Sequence, residues 1–189
     1  MIYFLCGHRG CGKNFLAKQI IEYINNIKII DTGPIVREAY QRFKSNNICF
    51  KDWLKENEKK YGENFTNILI CKLVNMKKEK NYIVIGYRSM EGIRYFNQYF
   101  GIKEYQIFFI DGDYELFRKN YNTREKKDIS KEEYGKIIET EKLMGIQGIK
   151  NFVLNNQKNG KYYFKTKNDN SIYQDILKII KEKIVEEER

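Results

Sequence analysis

The stretch Gly7-His8-Arg9-Gly10-Cys11-Gly12-Lys13-Asn14 constrains this chain more than any other. An apolar run, Ile2-Tyr3-Phe4-Leu5-Cys6, precedes it and reads as a buried strand. A helical pattern of Phe15, Leu16, Ala17, Ile20, Ile21 and Ile24 follows. Strand, glycine loop, lysine and helix in this order are the setting of a phosphate-binding P-loop. The glycines let the backbone turn tightly and aim its N–H groups inward. The helix adds the positive end of its dipole, and Lys13 is placed to reach the β- and γ-phosphates. ATP is therefore expected at Gly7, His8, Arg9, Gly10, Cys11, Gly12, Lys13 and Asn14. Asn14 stands where this motif normally carries Ser or Thr, whose hydroxyl holds Mg²⁺. An amide oxygen also ligates a hard cation, which makes Asn14 a candidate metal ligand.

The 189 residues suit a single domain with a sizeable core. No run of about 18 apolar residues is present, so no membrane-spanning helix is expected. The first apolar run enters the glycine loop at once and has no basic segment ahead of it, unlike a signal peptide. Cys6, Cys49 and Cys71 lie in apolar stretches and read as small core residues, Cys11 falls inside the loop, and no CxxC spacing occurs. A reducing cytoplasm suits this pattern. The net charge of +10 invites a nucleic-acid partner. Its lysines, however, are spread along the chain among Asn, Ile and Tyr rather than gathered in a patch, so that partner is not expected. Arginine is scarce, with eight in all. Five of them, Arg9, Arg37, Arg88, Arg118 and Arg124, fall in or beside the segments suited to phosphate contact, where a planar fork is the better ligand.

Along the chain, residues 27–30 read as a second strand closed by Asp31. Thr32, with Pro34 in the first turn, reads as the N-cap of the next helix. Asp31 therefore sits at a strand's carboxyl end, where open α/β sheets bind ligands. Residues 51–80 suggest two helices broken near Gly62. Tyr82-Ile83-Val84-Ile85 is a buried-type strand ending at Gly86, and Ser89 caps a helix to residue 100. Residues 105–110 form another strand, and a helix over about 114–121 carries Arg118, with Arg124 beyond it. A charged link over 126–133 holds a capping box, Ser130 with Glu133. A helix to about residue 144 follows, then an irregular stretch over 145–160 with 151–154 extended. Residues 162–166 form the last strand, and Ser171 starts an amphipathic final helix. The alternation predicts a five-stranded parallel sheet with helices on both faces and right-handed crossovers.

In this order the segments resemble the nucleoside monophosphate kinases of the adenylate kinase type, nearest to archaeal and phage proteins described as adenylate or dephospho-coenzyme A kinase-like. Gly7 to Lys13 is similar to the family's phosphate loop. Asp31-Thr32-Gly33 with Arg37 resembles its Ser-Thr-Gly-Asp-x-x-Arg segment, and Gly86-Tyr87-Arg88-Ser89 resembles an Asp-Gly-Ile-Arg-Ser. Arg118 and Arg124 are similar to lid arginines. Thr166-Lys167-Asn168-Asp169 resembles the turn near the donor's base. The resemblance implies one three-layer P-loop kinase domain over 1–189, with acceptor-binding helices over about 33–80 and a small lid over about 118–135. It implies Thr32, Gly33, Arg37, Gly86 and Arg88 for the acceptor, Asn168 for ATP, and Lys13, Asp31, Arg118 and Arg124 as catalytic groups. The family's acid before the glycine after the third strand is here Ile85, so Asp31 becomes the substitute that positions Mg²⁺ or takes a hydroxyl proton.

The implied activity moves the γ-phosphoryl of ATP to a nucleoside monophosphate or similar small phosphorylated acceptor, with ATP and Mg²⁺ as cofactors. Acceptor identity and oligomeric state are left open. Asn14 and Ile85 motivate an alternative, an ATP-binding switch with little transfer. A third reading, a nucleic-acid-dependent ATPase, requires stimulation by DNA or RNA with steep salt dependence.

Overall fold

The computed structural model describes residues 1–44, 47–77, 80–157, 159–166 and 171–187. Five strands, β1 (Ile2–Gly7), β2 (Ile27–Asp31), β3 (Asn81–Ile85), β4 (Tyr105–Asp111) and β5 (Lys161–Lys165), form one sheet in the order β2-β3-β1-β4-β5. Every pairing is parallel. The connections are helical: α1 (Lys13–Tyr23), α2 (Thr32–Phe43), α3 (Phe50–Tyr61), α4 (Phe65–Leu73), α5 (Met90–Tyr99), α6 (Tyr114–Glu125), α7 (Lys131–Leu143), α8 (Ile146–Asn155) and α9 (Ser171–Glu187).

Side chains of a strand alternate between its faces, and the central strands are apolar on both. Phe4, Cys6, Val84 and Phe109 pack on one side, beneath residues of α2, α4, α5 and α8. Tyr3, Leu5, Ile83, Ile85, Phe108 and Ile110 pack on the other, beneath α1, α7 and α9. The molecule is thus three layers, and the carboxyl ends of β1, β2, β3 and β4 form the edge at which open α/β sheets bind ligands. Since β1 lies between β3 and β4, the loops after β1 and β3 emerge side by side at the point where the winding changes direction.

Local signals explain most boundaries. Ser89 caps α5 by accepting from Gly92 N at 3.1 Å, and the Ser130–Glu133 box caps α7. Four expectations change. The cap of α2 is Asp31, whose carboxylate accepts from Gly33 N at 3.1 Å; Thr32 is buried inside the helix. Residues 146–155 are a helix, α8, rather than an irregular stretch with an extended piece. The asparagines there disguise a helical stripe, Ile146, Ile149 and Val153, that is wholly buried against the sheet. The charged link over 126–133 is shorter, because α6 continues to Glu125 and α7 begins at Lys131. Cys49 is not a core residue: it is exposed and caps α3, accepting from Asp52 N. No helix of the described residues is long and apolar enough to cross a membrane.

Candidate functional site

The glycine loop leaves the buried end of β1 and feeds α1 through Gly12, which is in the left-handed region (φ 91°). Gly10 is needed for a different reason. Its φ is 83°, and a Cβ there would run into the Phe117 carbonyl of α6. The loop is therefore pressed against the α6–α7 hairpin, and its carbonyls are spoken for. Asn120 Nδ2 donates to Gly10 O at 3.0 Å, and the Tyr134 hydroxyl donates to Arg9 O. Lys13 folds over the loop and donates to Gly7 O (2.6 Å) and His8 O (2.8 Å). Its ammonium is thereby set at the mouth of the turn.

Glu141 of α7 is the group that sequence reasoning missed. It is 2% exposed and reaches the loop from the side. Oε2 accepts from Arg9 N at 3.1 Å and from His8 Nδ1 at 3.0 Å, so His8 carries its hydrogen on that nitrogen. Oε1 meets Arg88 Nε at 3.1 Å and Arg9 Nε at 3.4 Å. Burial alone would raise this carboxyl. The His8 hydrogen bond, the charge of Arg88, the Arg9 N–H and Lys13 outweigh it and hold the group down at about 2. A signal for it was present. Tyr134, Ile138 and Glu141 occupy one stripe of the helix at i, i+4 and i+7, and an acid in an apolar stripe needs a partner.

On the other side of the loop stands Asp31. Asn14 Nδ2 donates to its Oδ2 at 2.6 Å, so the two expected metal ligands are in direct contact. In the β2–β3 register Asp31 lies opposite Ile85. The end of β3 thus carries no acid, and the carboxylate level with it on the neighbouring strand is Asp31, while Ile85 is buried. Gly86 (φ 107°) lets the chain after β3 pass the start of α2, since a Cβ there would strike Thr32 Oγ1. This draws Thr32, Gly33, Gly86 and Arg88 together. A Cβ placed on Gly33 would be 3.3 Å from Arg37 Nη1, so Arg37 reaches back to the same spot. Partial burial pulls Arg88 below the usual guanidinium range. Glu141 opposes that pull, while the like charges of Arg9 and Arg37 add to it. Arg37 carries no carboxylate partner among the described residues. Four cations, Arg9, Lys13, Arg37 and Arg88, therefore surround this end of the sheet, with Glu141 as the buried counter-charge.

A cleft of about 510 Å³ opens over the loop, lined by Gly10, Gly12, Lys13, Asn14, Asn120 and Arg124 among others. Arg124 borders it, with its guanidinium over the Tyr121 ring and paired to Glu125 at 2.8 Å. Arg118 is held elsewhere. It donates to Ile129 O at 2.7 Å and pairs with Glu115 at 2.6 Å, which ties the α6–α7 turn to α6. Asp111 is also committed, accepting from Lys150 and the Tyr163 hydroxyl at 2.6 Å each. Asn168 lies outside the described residues. A larger hollow of about 690 Å³ between α2, α3 and α4, around Trp53 and Phe65, shares no lining residue with the cleft over the loop. No cluster of three or more His, Cys, Asp and Glu suited to a metal occurs among the described residues.

Fold and loop together define the three-layer P-loop kinase fold. Solved structures agree. An uncharacterized protein from Eubacterium ventriosum ATCC 27560 superposes with a TM-score of 0.60 at 16% identity, over 96% of this chain and 98% of its own. A gluconokinase from Sinorhizobium meliloti 1021 superposes with a TM-score of 0.55 at 8% identity, over 93% of this chain and 86% of its own. No protein-family model matches the sequence, and no curated protein does.

Proposed function

We propose that the chain is an ATP-dependent phosphotransferase of the adenylate kinase type, acting on a nucleoside monophosphate or a similar small phosphorylated acceptor. The observation that carries this reading is the gathering of Arg9, Arg37 and Arg88 beside the glycine loop and Lys13. A loop that only binds a nucleotide has no need of a second set of guanidinia. Phosphoryl transfer does, because it depends on positioning two anions and neutralising the charge between them. The fold shared with a solved gluconokinase supports kinase chemistry at that general level.

In this reading the loop N–H groups and Lys13 hold the donor. Thr32, Gly33, Gly86, Arg37 and Arg88 hold the acceptor's phosphate, and Arg124 faces the cleft from α6. Asp31 and the amide oxygen of Asn14 are hard oxygen donors that fit Mg²⁺, which supplies charge neutralisation when bound. A phosphate monoester acceptor is itself a competent nucleophile and needs no base. For a hydroxyl acceptor Asp31 is the group placed to take the proton.

The test is ATP consumption across a panel of nucleoside monophosphates and other phosphorylated acceptors. Mg²⁺-dependent loss of ATP that requires one acceptor is the expected result. Lys13→Ala should abolish it without unfolding the chain, and Asp31→Asn should depress it strongly. One observation favours a second reading, an ATP-binding switch: Asn14 donates directly to Asp31 and occupies an oxygen otherwise open to metal. Tight ATP binding with no transfer to any acceptor would establish that instead.

A further inference from the structure

The way Glu141 grips its two arginines carries more than their neutralisation. A guanidinium offers its Nε–H and its two terminal nitrogens as separate donors. Glu141 Oε1 accepts a hydrogen bond from the Nε of Arg88 at 3.1 Å and forms an ion pair with Arg9, whose Nε is the nearest nitrogen at 3.4 Å. The terminal nitrogens of both arginines have no partner among the described residues. Two side chains that would otherwise repel are drawn to one oxygen, Arg88 by a hydrogen bond and Arg9 by an ion pair, with their terminal nitrogens turned to no other protein group among the described residues. The second oxygen holds the loop itself, through Arg9 N and His8. Arg9 belongs to the donor loop and Arg88 follows β3, on the acceptor side.

We propose that Glu141 is a positioning residue that sets Arg9 and Arg88 as one clamp for a single phosphoryl group between donor and acceptor. The identity of that group rests on the phosphotransferase reading; the clamp itself does not. An anion held by two forks in fixed relation is bound cooperatively. Loss of either fork then costs most of the affinity, and loss of the second adds little. Without Glu141 the two arginines separate and act independently.

The experiment titrates inorganic phosphate by calorimetry into the full chain, with and without saturating ADP. The proteins are the native chain, Arg9→Ala, Arg88→Ala and the double variant, and the same set built on Glu141→Gln and on Glu141→Asp. In the native background each single substitution should weaken phosphate about tenfold or more, by loss of a charge-assisted contact. The double variant should fall less than about threefold below the weaker single one. On Glu141→Gln the two effects should multiply. Glu141→Asp keeps the charge but is one methylene too short to span both groups, and should also lose the cooperation, so the test survives if the Gln variant fails to fold. A purely structural role would lower the melting temperature while leaving the cooperation intact in both variants, and would overturn the proposal. So would independent effects in the native chain. Failure of ADP to bind would count against the phosphotransferase reading alone, because the titration without ADP judges the clamp separately.

Discussion

Glu141 and Asp31 flank the same glycine loop from opposite sides, in opposite surroundings. Glu141 is sealed in, meets two guanidinia, an imidazole and a backbone N–H, and is held at about 2. Asp31 is only half-buried, caps α2 and touches one amide, Asn14. The buried acid is surrounded by groups that cannot dispense with it. The open acid has neighbours that solvent can replace. Burial together with unavoidable partners makes a carboxylate structural, whereas solvent access and neutral partners, here Gly33 N and the Asn14 amide, leave one available for a ligand that displaces them.

That contrast is open to measurement, beginning where the effect is greatest. Glu141→Ala strands partly buried charges. The loss should approach about 3 kcal/mol, the low end for a broken buried pair because Arg9 and Arg88 still reach solvent. Thermal melting of a chain this size should show it as a drop of roughly 6–12 °C. A loss below about 1 kcal/mol would erase the distinction between the two acids.

Acid should expose the same difference without mutation. The Glu141 carboxyl is lower in the folded chain than in the unfolded one, so the unfolded chain binds the proton first as pH falls. Its contribution is therefore complete above about pH 4.5 and is lost progressively toward pH 2, amounting to at most about 3 kcal/mol. Denaturant unfolding of native and Glu141→Gln chains should differ most at pH 6 and converge as pH falls through that window to pH 2. Parallel curves would place the acid sensitivity elsewhere, with Asp111 the next group to test, since Lys150, Tyr163 and Gly112 N hold it low against its own burial.

Arg37 sharpens the comparison on the ligand side, because it has no carboxylate partner to lose among the described residues. Arg37→Ala should raise the KM for the acceptor about tenfold or more, a cost of about 1.5–3 kcal/mol, with ATP binding and melting temperature little changed. Loss of ATP affinity instead would mean that the two sites are reversed. At Asp31 the effect on stability is expected to be far smaller than at Glu141. Removing the α2 cap by Asp31→Ala should cost about 1 kcal/mol in stability. A cost near that of Glu141→Ala would make Asp31 structural too.

The sequence determined the framework because its signals are local. A glycine loop between an apolar strand and an amphipathic helix, buried-type strands alternating with helical patterns, and caps at Ser89 and Ser130 each follow from a few neighbouring residues. Together they required a parallel, two-faced sheet with its site at the carboxyl ends. Asp31 was legible for the same reason, as an acid at the end of a strand. The tertiary structure alone decided what lies across space. Glu141 is 132 residues from Arg9 and 53 from Arg88. In the sequence it is one of several acids on a charged helix, and only docking of α7 on the loop turns it inward. The same docking separates Arg124, at the cleft, from Arg118, which is bound within its own hairpin. Strand register set Asp31 opposite Ile85. Periodicity fixes which face a side chain lies on, but the partner waiting at that face is a property of the packed chain.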